Sequence, residues 1–165
     1  MENLLIRRAE PDDAPGFCEI YGGKNAYSGT LQLPFPSVES WRRRLAESPS
    51  QIMLVAVVDG TLVGSVGLHT YPERPRRKHV GTIGIGVRDD WAGKGIGTAL
   101  LAAAIDLADN WLDLRRIELE VYTDNEAAIR LYEKFGFELE GTKRMDAFRD
   151  GRYVDSHVMA RIKKS

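Results

Sequence analysis

Two apolar, β-branched runs flank Asp59-Gly60 in the stretch QIMLVAVVDGTLVGSVGLHTY, which begins at Gln51. Such runs predict strands, and Asp-Gly supplies the two φ > 0 positions that a type I′ hairpin turn requires. A third run, HVGTIGIGV from His79, predicts a strand behind the basic loop Arg74-Pro75-Arg76-Arg77. The rhythm then changes: Ile96, Ala99, Leu100, Ala103 and Leu107 recur at helical spacing. RRIELEVY returns to alternation through Ile117, Leu119 and Val121, the mark of a strand. Thr123-Asp124-Asn125-Glu126 opens another helix in capping-box form, with Ala128, Leu131, Tyr132 and Phe135 as its apolar stripe. Gly136 stops that helix. Two last strands are predicted near 138–144 and 153–161, around the turn Arg149-Asp150-Gly151.

The first third of the chain is less regular. Leu4 to Arg8 predicts a short strand, and Pro11-Asp12-Asp13 starts a helix that Gly22-Gly23 closes. KNAYSGTLQLPFPS, from Lys24 to Ser37, carries two prolines and a glycine and predicts a long loop. Ser37 is the predicted N-cap of a second helix through Trp41 and Leu45. The order is therefore β-α-α-β-β-β-α-β-α-β-β. The β-α-β unit from His79 to Tyr122 demands a parallel pair with a right-handed crossover, whereas the hairpins demand antiparallel pairs. A mixed α/β (α+β) class satisfies both: a twisted mixed sheet with a central parallel pair, flanked by about four helices on its two faces.

At 165 residues, with neither repeats nor low-complexity linkers, the chain reads as a single domain over 1–165. A net charge of −1 offers no electrostatic case for nucleic acid or an anionic membrane. The lone Cys18 excludes an internal disulfide framework and any multi-cysteine metal site, so no metal is expected. No apolar run approaches the ~20 residues of a membrane span, and MENLLIRRAEPDDA holds no apolar signal core, so the expected location is the cytoplasm.

One stretch, DWAGKGIGTAL from Asp90, places three glycines directly before an apolar helix. A strand, a Gly-rich turn and a helix N-terminus together make an anion site, because the first helical amides have no intrahelical partner. A phosphate-binding Walker A loop is ruled out, since Lys94 is followed by Gly95. A dinucleotide fingerprint fails too, since Thr98 or Leu100 stands where its third glycine belongs. On the glycines alone, a turn without a ligand stays open.

The same residues resemble the GNAT superfamily of acyl-CoA N-acyltransferases, and the likeness runs over nearly the whole chain. Ala92-Gly93-Lys94-Gly95-Ile96-Gly97 is similar to the family's Gln/Arg-x-x-Gly-x-Gly/Ala motif, with Ala92 where Gln or Arg is usual. DNEAAIRLYEKFGF, with Asn125, Tyr132 and Gly136-Phe137, resembles the second signature. The ending EGTKRMDAFRDGRYVDSHVMAR resembles the closing hairpin of bacterial small-molecule members. TLQLPFPS and RPRRKHV resemble a bacterial subgroup of amino-acid N-acetyltransferases of the YhhY type.

The resemblance implies a GNAT-like sheet and transfer of an acetyl group from acetyl-CoA, the cosubstrate, to a small-molecule amine by direct attack in a ternary complex. It implies that Gly93, Lys94, Gly95, Ile96, Gly97 and Thr98 hold the pyrophosphate through their amides. The strand around Ile85, Gly86 and Val87 would carry the pantetheine arm, and Asn125 would touch the cofactor. Tyr132 would contact the cofactor and act as general acid, although its spacing alone reads rather as core. By analogy the molecule would be a homodimer. Cys18, beside Phe17 and Tyr21, reads as packing rather than a nucleophile.

The base stays unassigned: Glu118 and Glu120 are candidates, but pairing with Arg115, Arg116 or solvent explains them as well. His69 and His79 are also open. Tyr27, Leu31, Leu33, Phe35 and Trp41 are candidates for an apolar acceptor pocket, and Arg74, Arg76 and Arg77 for an anion. A lid over the core and a solvated basic loop explain these residues as well; it is the resemblance of TLQLPFPS and RPRRKHV that implies a free amino acid with an apolar side chain. The alternatives are a protein N-terminus as acceptor, or a module that binds acyl-CoA without catalysis.

Overall fold

The computed structural model describes residues 3–164. In chain order the elements are β1 (Leu4–Arg8), α1 (Ala14–Tyr21), α2 (Lys24–Ser28), α3 (Val38–Arg44), β2 (Gln51–Val58), β3 (Thr61–Thr70), β4 (Val80–Val87), α4 (Ile96–Asn110), β5 (Arg116–Tyr122), α5 (Glu126–Lys134), β6 (Glu138–Arg149) and β7 (Arg152–Ile162). Short 3₁₀ turns at Pro11–Asp13, Pro75–Arg77 and Asp89–Trp91 join some of them. The strands form one sheet in the order β1-β2-β3-β4-β5-β7-β6, in which β4 and β5 are the parallel pair. Both expected hairpins turn at φ > 0 pairs: Asp59 and Gly60 at 48° and 81°, Asp150 and Gly151 at 49° and 80°.

Apolar helical stripes cover both faces of the sheet. On one, Leu100, Leu101, Ala104 and Ala108 of α4 pack with Val66, Leu68, Ile117 and Leu119. On the other, Phe17, Ile20 and Tyr21 of α1 and Trp41 of α3 pack on Val55 and Val57. Trp41 lies 4.8 Å from Phe17 and 5.0 Å from Tyr21, ring centroid to centroid. Burying a large apolar side chain of this sort contributes about 1.5–3 kcal/mol.

Three local expectations are corrected. Lys24–Ser28 is a short helix inside the predicted loop, because the Asp89 carboxylate accepts from the amides of Asn25 (3.0 Å) and Ala26 (3.1 Å). The cap of α5 is Asn125, whose side chain accepts from the Ala128 amide at 3.3 Å, rather than a box begun at Thr123. β6 continues to Arg149, and its register shifts at Leu139/Gly141 and Lys143/Ala147 break the alternation by which a strand is read.

The feature that matters for function is where the parallel pair ends. β4 meets β5 only over Val80–Thr82 and Arg116–Glu118. Beyond Thr82, β4 pairs with β3 alone, and β5 beyond Glu118 pairs with β7 alone. The sheet therefore opens as a V in its middle.

Candidate active site

The V exposes one edge of β4. The Arg88 amide donates to Val63 O, so antiparallel alternation bonds Gly86, Gly84 and Thr82 to β3. Ile85 and Val87 consequently turn their amides and carbonyls into the V, whereas Ile83 stands at the end of the pairing with β5. Two of the three strand residues singled out from the sequence, Ile85 and Val87, thus present backbone groups to the opening. Gly86 directs its own toward Ser65.

The glycine turn lies at the mouth of the V. Gly93 and Gly95 sit at φ 74° and 85°, and a side chain at either would meet nothing within 4 Å. The glycines are there for backbone conformation rather than for lack of space. The first helical bond of α4 runs from the Ala99 amide to Gly95 O at 3.1 Å. Among the described residues, nothing accepts from the amides of Gly93, Lys94, Gly95, Ile96, Gly97 or Thr98. These free donors, with the positive end of the α4 dipole, are suited to a diphosphate. Ile96 spends its side chain on the core and packs on Gly64. Lys94 is exposed, its Nζ 4.8 Å above the Trp91 ring. Gly97 lets α4 approach Leu131 of α5. Residues of both signatures are thereby brought together.

Tyr132 projects from α5 into the core beside Phe137, only 7% exposed. Its hydroxyl bonds to none of the described groups, yet no fully buried side-chain N or O lacks a partner. The Tyr132 hydroxyl is therefore not wholly enclosed. Burial, helped by Tyr21, pushes this phenol up to about 12, so it is protonated at neutral pH. Asn125 Oδ1 caps α5, while its Nδ2 lies beside Gly29.

The opposite face of the V joins two sequence candidates, His69 and Arg74, to features that sequence reading missed. Tyr21 is buried, bonded to Ser65 Oγ at 2.9 Å and seated directly on Gly86. A cleft of about 480 Å³ is lined by Ser50, His69, Tyr71, Glu73, Arg74 and Thr82, among others. The run of glycines in HVGTIGIGV was the available signal, since alternate side chains of a strand share a face.

Other candidates separate. Glu118 is held by Arg77 (3.1 Å) and Arg116 (3.0 Å), and Glu120 by Lys143, so neither carboxylate is free to act as a base. His79 is exposed. Trp41 is core, whereas Leu31, Leu33 and Phe35 are exposed and line neither core nor closed pocket. Tyr27 is half-buried. Arg76 is exposed and Arg77 is engaged, which leaves Arg74 on the cleft. The Cys18 thiol is raised by burial and then by Glu19, which disfavours the thiolate. Among the described residues, no group of three His, Cys, Asp or Glu is placed to hold a metal, and no helix is long and apolar enough to cross a membrane.

A mixed sheet split after a short parallel pairing, with free amides at its mouth, is the framework of an acyl-CoA acyltransferase. Residues 21–137 match the Acetyltransferase (GNAT) family, and the chain belongs to it. It is 44% identical over 163 residues to the L-amino acid N-acetyltransferase AaaT of Escherichia coli K12, covering 99% of this chain and 100% of that protein. A GNAT-family acetyltransferase from Streptococcus pneumoniae superposes with a TM-score of 0.83 at 32% identity, covering 97% of this chain and 99% of that one. A phosphinothricin acetyltransferase from Sinorhizobium meliloti in complex with AcCoA shares the fold, with a TM-score of 0.83 at 24% identity and coverage of 97% and 88%.

Proposed function

We propose that this protein, as one domain over residues 1–165, acetylates the α-amine of a free amino acid from acetyl-CoA within a ternary complex. The observation that carries the reading is the set of unpartnered amides from Gly93 to Thr98 at the mouth of the V. The likeness to an L-amino acid N-acetyltransferase along the full chain supports the substrate class.

Acetyl-CoA supplies the activated acyl group. The chain's residues supply position and protons. Gly93, Lys94, Gly95, Ile96, Gly97 and Thr98 grip the pyrophosphate by backbone N–H, so Ala92 in place of Gln or Arg costs a side-chain contact and none of these. Ile85 and Val87 hold the pantetheine arm along the free edge, with Gly86 keeping that edge in register on β3. A β4 amide turned into the V stabilises negative charge at the thioester oxygen. Asn125 adds a side-chain donor at Nδ2. Tyr132 gives its proton to the departing sulfur. Arg74, on the cleft and without a described acidic partner, is suited to the acceptor's carboxylate.

The enzyme works in the cytoplasm as a homodimer. Exposed Leu139, Met145 and Phe148 on the edge strand β6 support an interface there. A thiol-release screen with acetyl-CoA against amino acids, polyamines, aminoglycosides and N-terminal peptides tests the reading. Turnover with free amino acids is expected; turnover confined to any other class contradicts it.

A further inference from the structure

On the α1 side of β4, the positions Thr82, Gly84 and Gly86 share one face. Tyr21 closes off Gly86: a side chain there would begin 2.3 Å from the Tyr21 hydroxyl. Tyr71 engages Thr82 through a 3.0 Å hydrogen bond. Gly84, between them, is exposed, and a side chain on it would meet nothing within 4 Å. Immediately beside Gly84 lie the backbone groups of Ile85 that face the V. An amine approaching from this face reaches that edge over Gly84.

We propose that the acceptor amine enters over Gly84 and that His69 is the base that takes its proton. This rests on the N-acetyltransferase reading above. His69 pairs with Thr82, and Gly67 with Gly84, so His69 and Gly84 are diagonal neighbours on one face. Diagonal pairs of this kind lie about 7–8 Å apart, within reach of an imidazole. His69 Nε2 lies 3.8 Å from where a side chain on Gly67 would begin, so the ring leans toward the Gly67–Gly84 pair. The imidazole makes no hydrogen bond to the described residues and opens onto the 480 Å³ cleft. The charged and titratable groups around it are Arg44 from α3 and Tyr71, Glu73 and Arg74 of the cleft. His69 is exposed at its outer side; desolvation against its neighbours, then Arg44, lowers the imidazole below its ordinary 6.5, so the neutral form prevails at pH 7.

The protons balance. The ammonium gives one proton to Nε2, and the freed lone pair forms the C–N bond as the thioester C–S bond breaks. The Tyr132 hydroxyl proton goes to sulfur, and the second amine proton restores Tyr132. His69 releases its proton to solvent, so one proton leaves per turnover.

The test uses His69→Gln and Gly84→Val in the full-length protein, with the standard amino acids as probes. His69→Gln is expected to lose roughly 10² in kcat/KM at pH 7, with the loss shrinking above pH 9 as the amine deprotonates unaided. Its calorimetric affinity for acetyl-CoA is expected to stay at the wild-type value. NMR of the wild-type ring is expected to show His69 titrating below 6.5, and the titration point moving when an amino acid binds beside CoA. Gly84→Val fills open space, so Tm and acetyl-CoA affinity hold while KM for the amino acid rises at least about tenfold, one lost contact's worth. A wild-type pH profile in His69→Gln, or a wild-type KM in Gly84→Val, overturns the proposal. No thiol release by wild type with any amino acid overturns the underlying reading instead.

Discussion

Tyr132 is asked to be both core and chemistry. Its ring fills the space beside Phe137, while its hydroxyl has no partner among the described residues. The apolar stripe on α5 made the burial legible in the sequence. The unpaired hydroxyl was not, since it depends on what other elements withhold. Tyr132→Phe keeps the packing and removes the proton: kcat is expected to fall roughly 10²-fold with acetyl-CoA affinity held, measured by thiol release and calorimetry. Wild-type turnover would remove Tyr132 from the mechanism. The raised phenol also links to stability. Folded, it titrates at about 12 against an ordinary 10.0, so its contribution is complete below pH 10 and is lost as pH rises to 12. Two units correspond to about 3 kcal/mol. Urea midpoints of wild type should drop across pH 10 to 12 more steeply than those of Tyr132→Phe; parallel curves would contradict this.

Among the elements, the turn before α4 was the most legible, because its glycines stand directly before an apolar helix and match a family motif. Gly95→Ala is expected to cost about 1 kcal/mol for its left-handed backbone. It should also weaken acetyl-CoA binding more than turnover of bound complex, by calorimetry against single-turnover rates. α2 was not legible: its N-terminal amides are held by Asp89, 64 residues from Asn25, and no local pattern announces such a contact. Asp89→Ala should destabilise the fold by about 1 kcal/mol, read as a lower denaturant midpoint. An unchanged midpoint would show that the contact contributes nothing. The split between β4 and β5 was equally hidden. RRIELEVY alternates without interruption across Glu118, although β4 pairing stops there.

In the whole molecule, the V places the acyl donor's edge between two differently built faces. α4 and α5 supply amides and Tyr132 on one side, and on the other α1 supplies Tyr21, β3 His69 and β4 the Gly84 opening. Topology was readable because hairpin turns and a β-α-β crossover leave few arrangements. The acceptor side was not, since its cleft gathers residues from β3, β4, the segment before β2 and the loop after β3. A two-sided site implies direct attack, and Cys18→Ala should keep kcat within about twofold of wild type because packing alone is altered. A large loss of turnover with the fold intact would implicate a covalent enzyme step.

The central claim is that free amides at the start of α4, with the exposed edge of β4, receive coenzyme A. Backbone ¹⁵N–¹H spectra recorded as CoA is added test it directly. The amides of Gly93 to Thr98, with Ile85 and Val87, are expected to move most, and those of Gly84 and Gly86, bonded to β3, far less. Perturbations centred elsewhere, or none at millimolar CoA, would contradict the account.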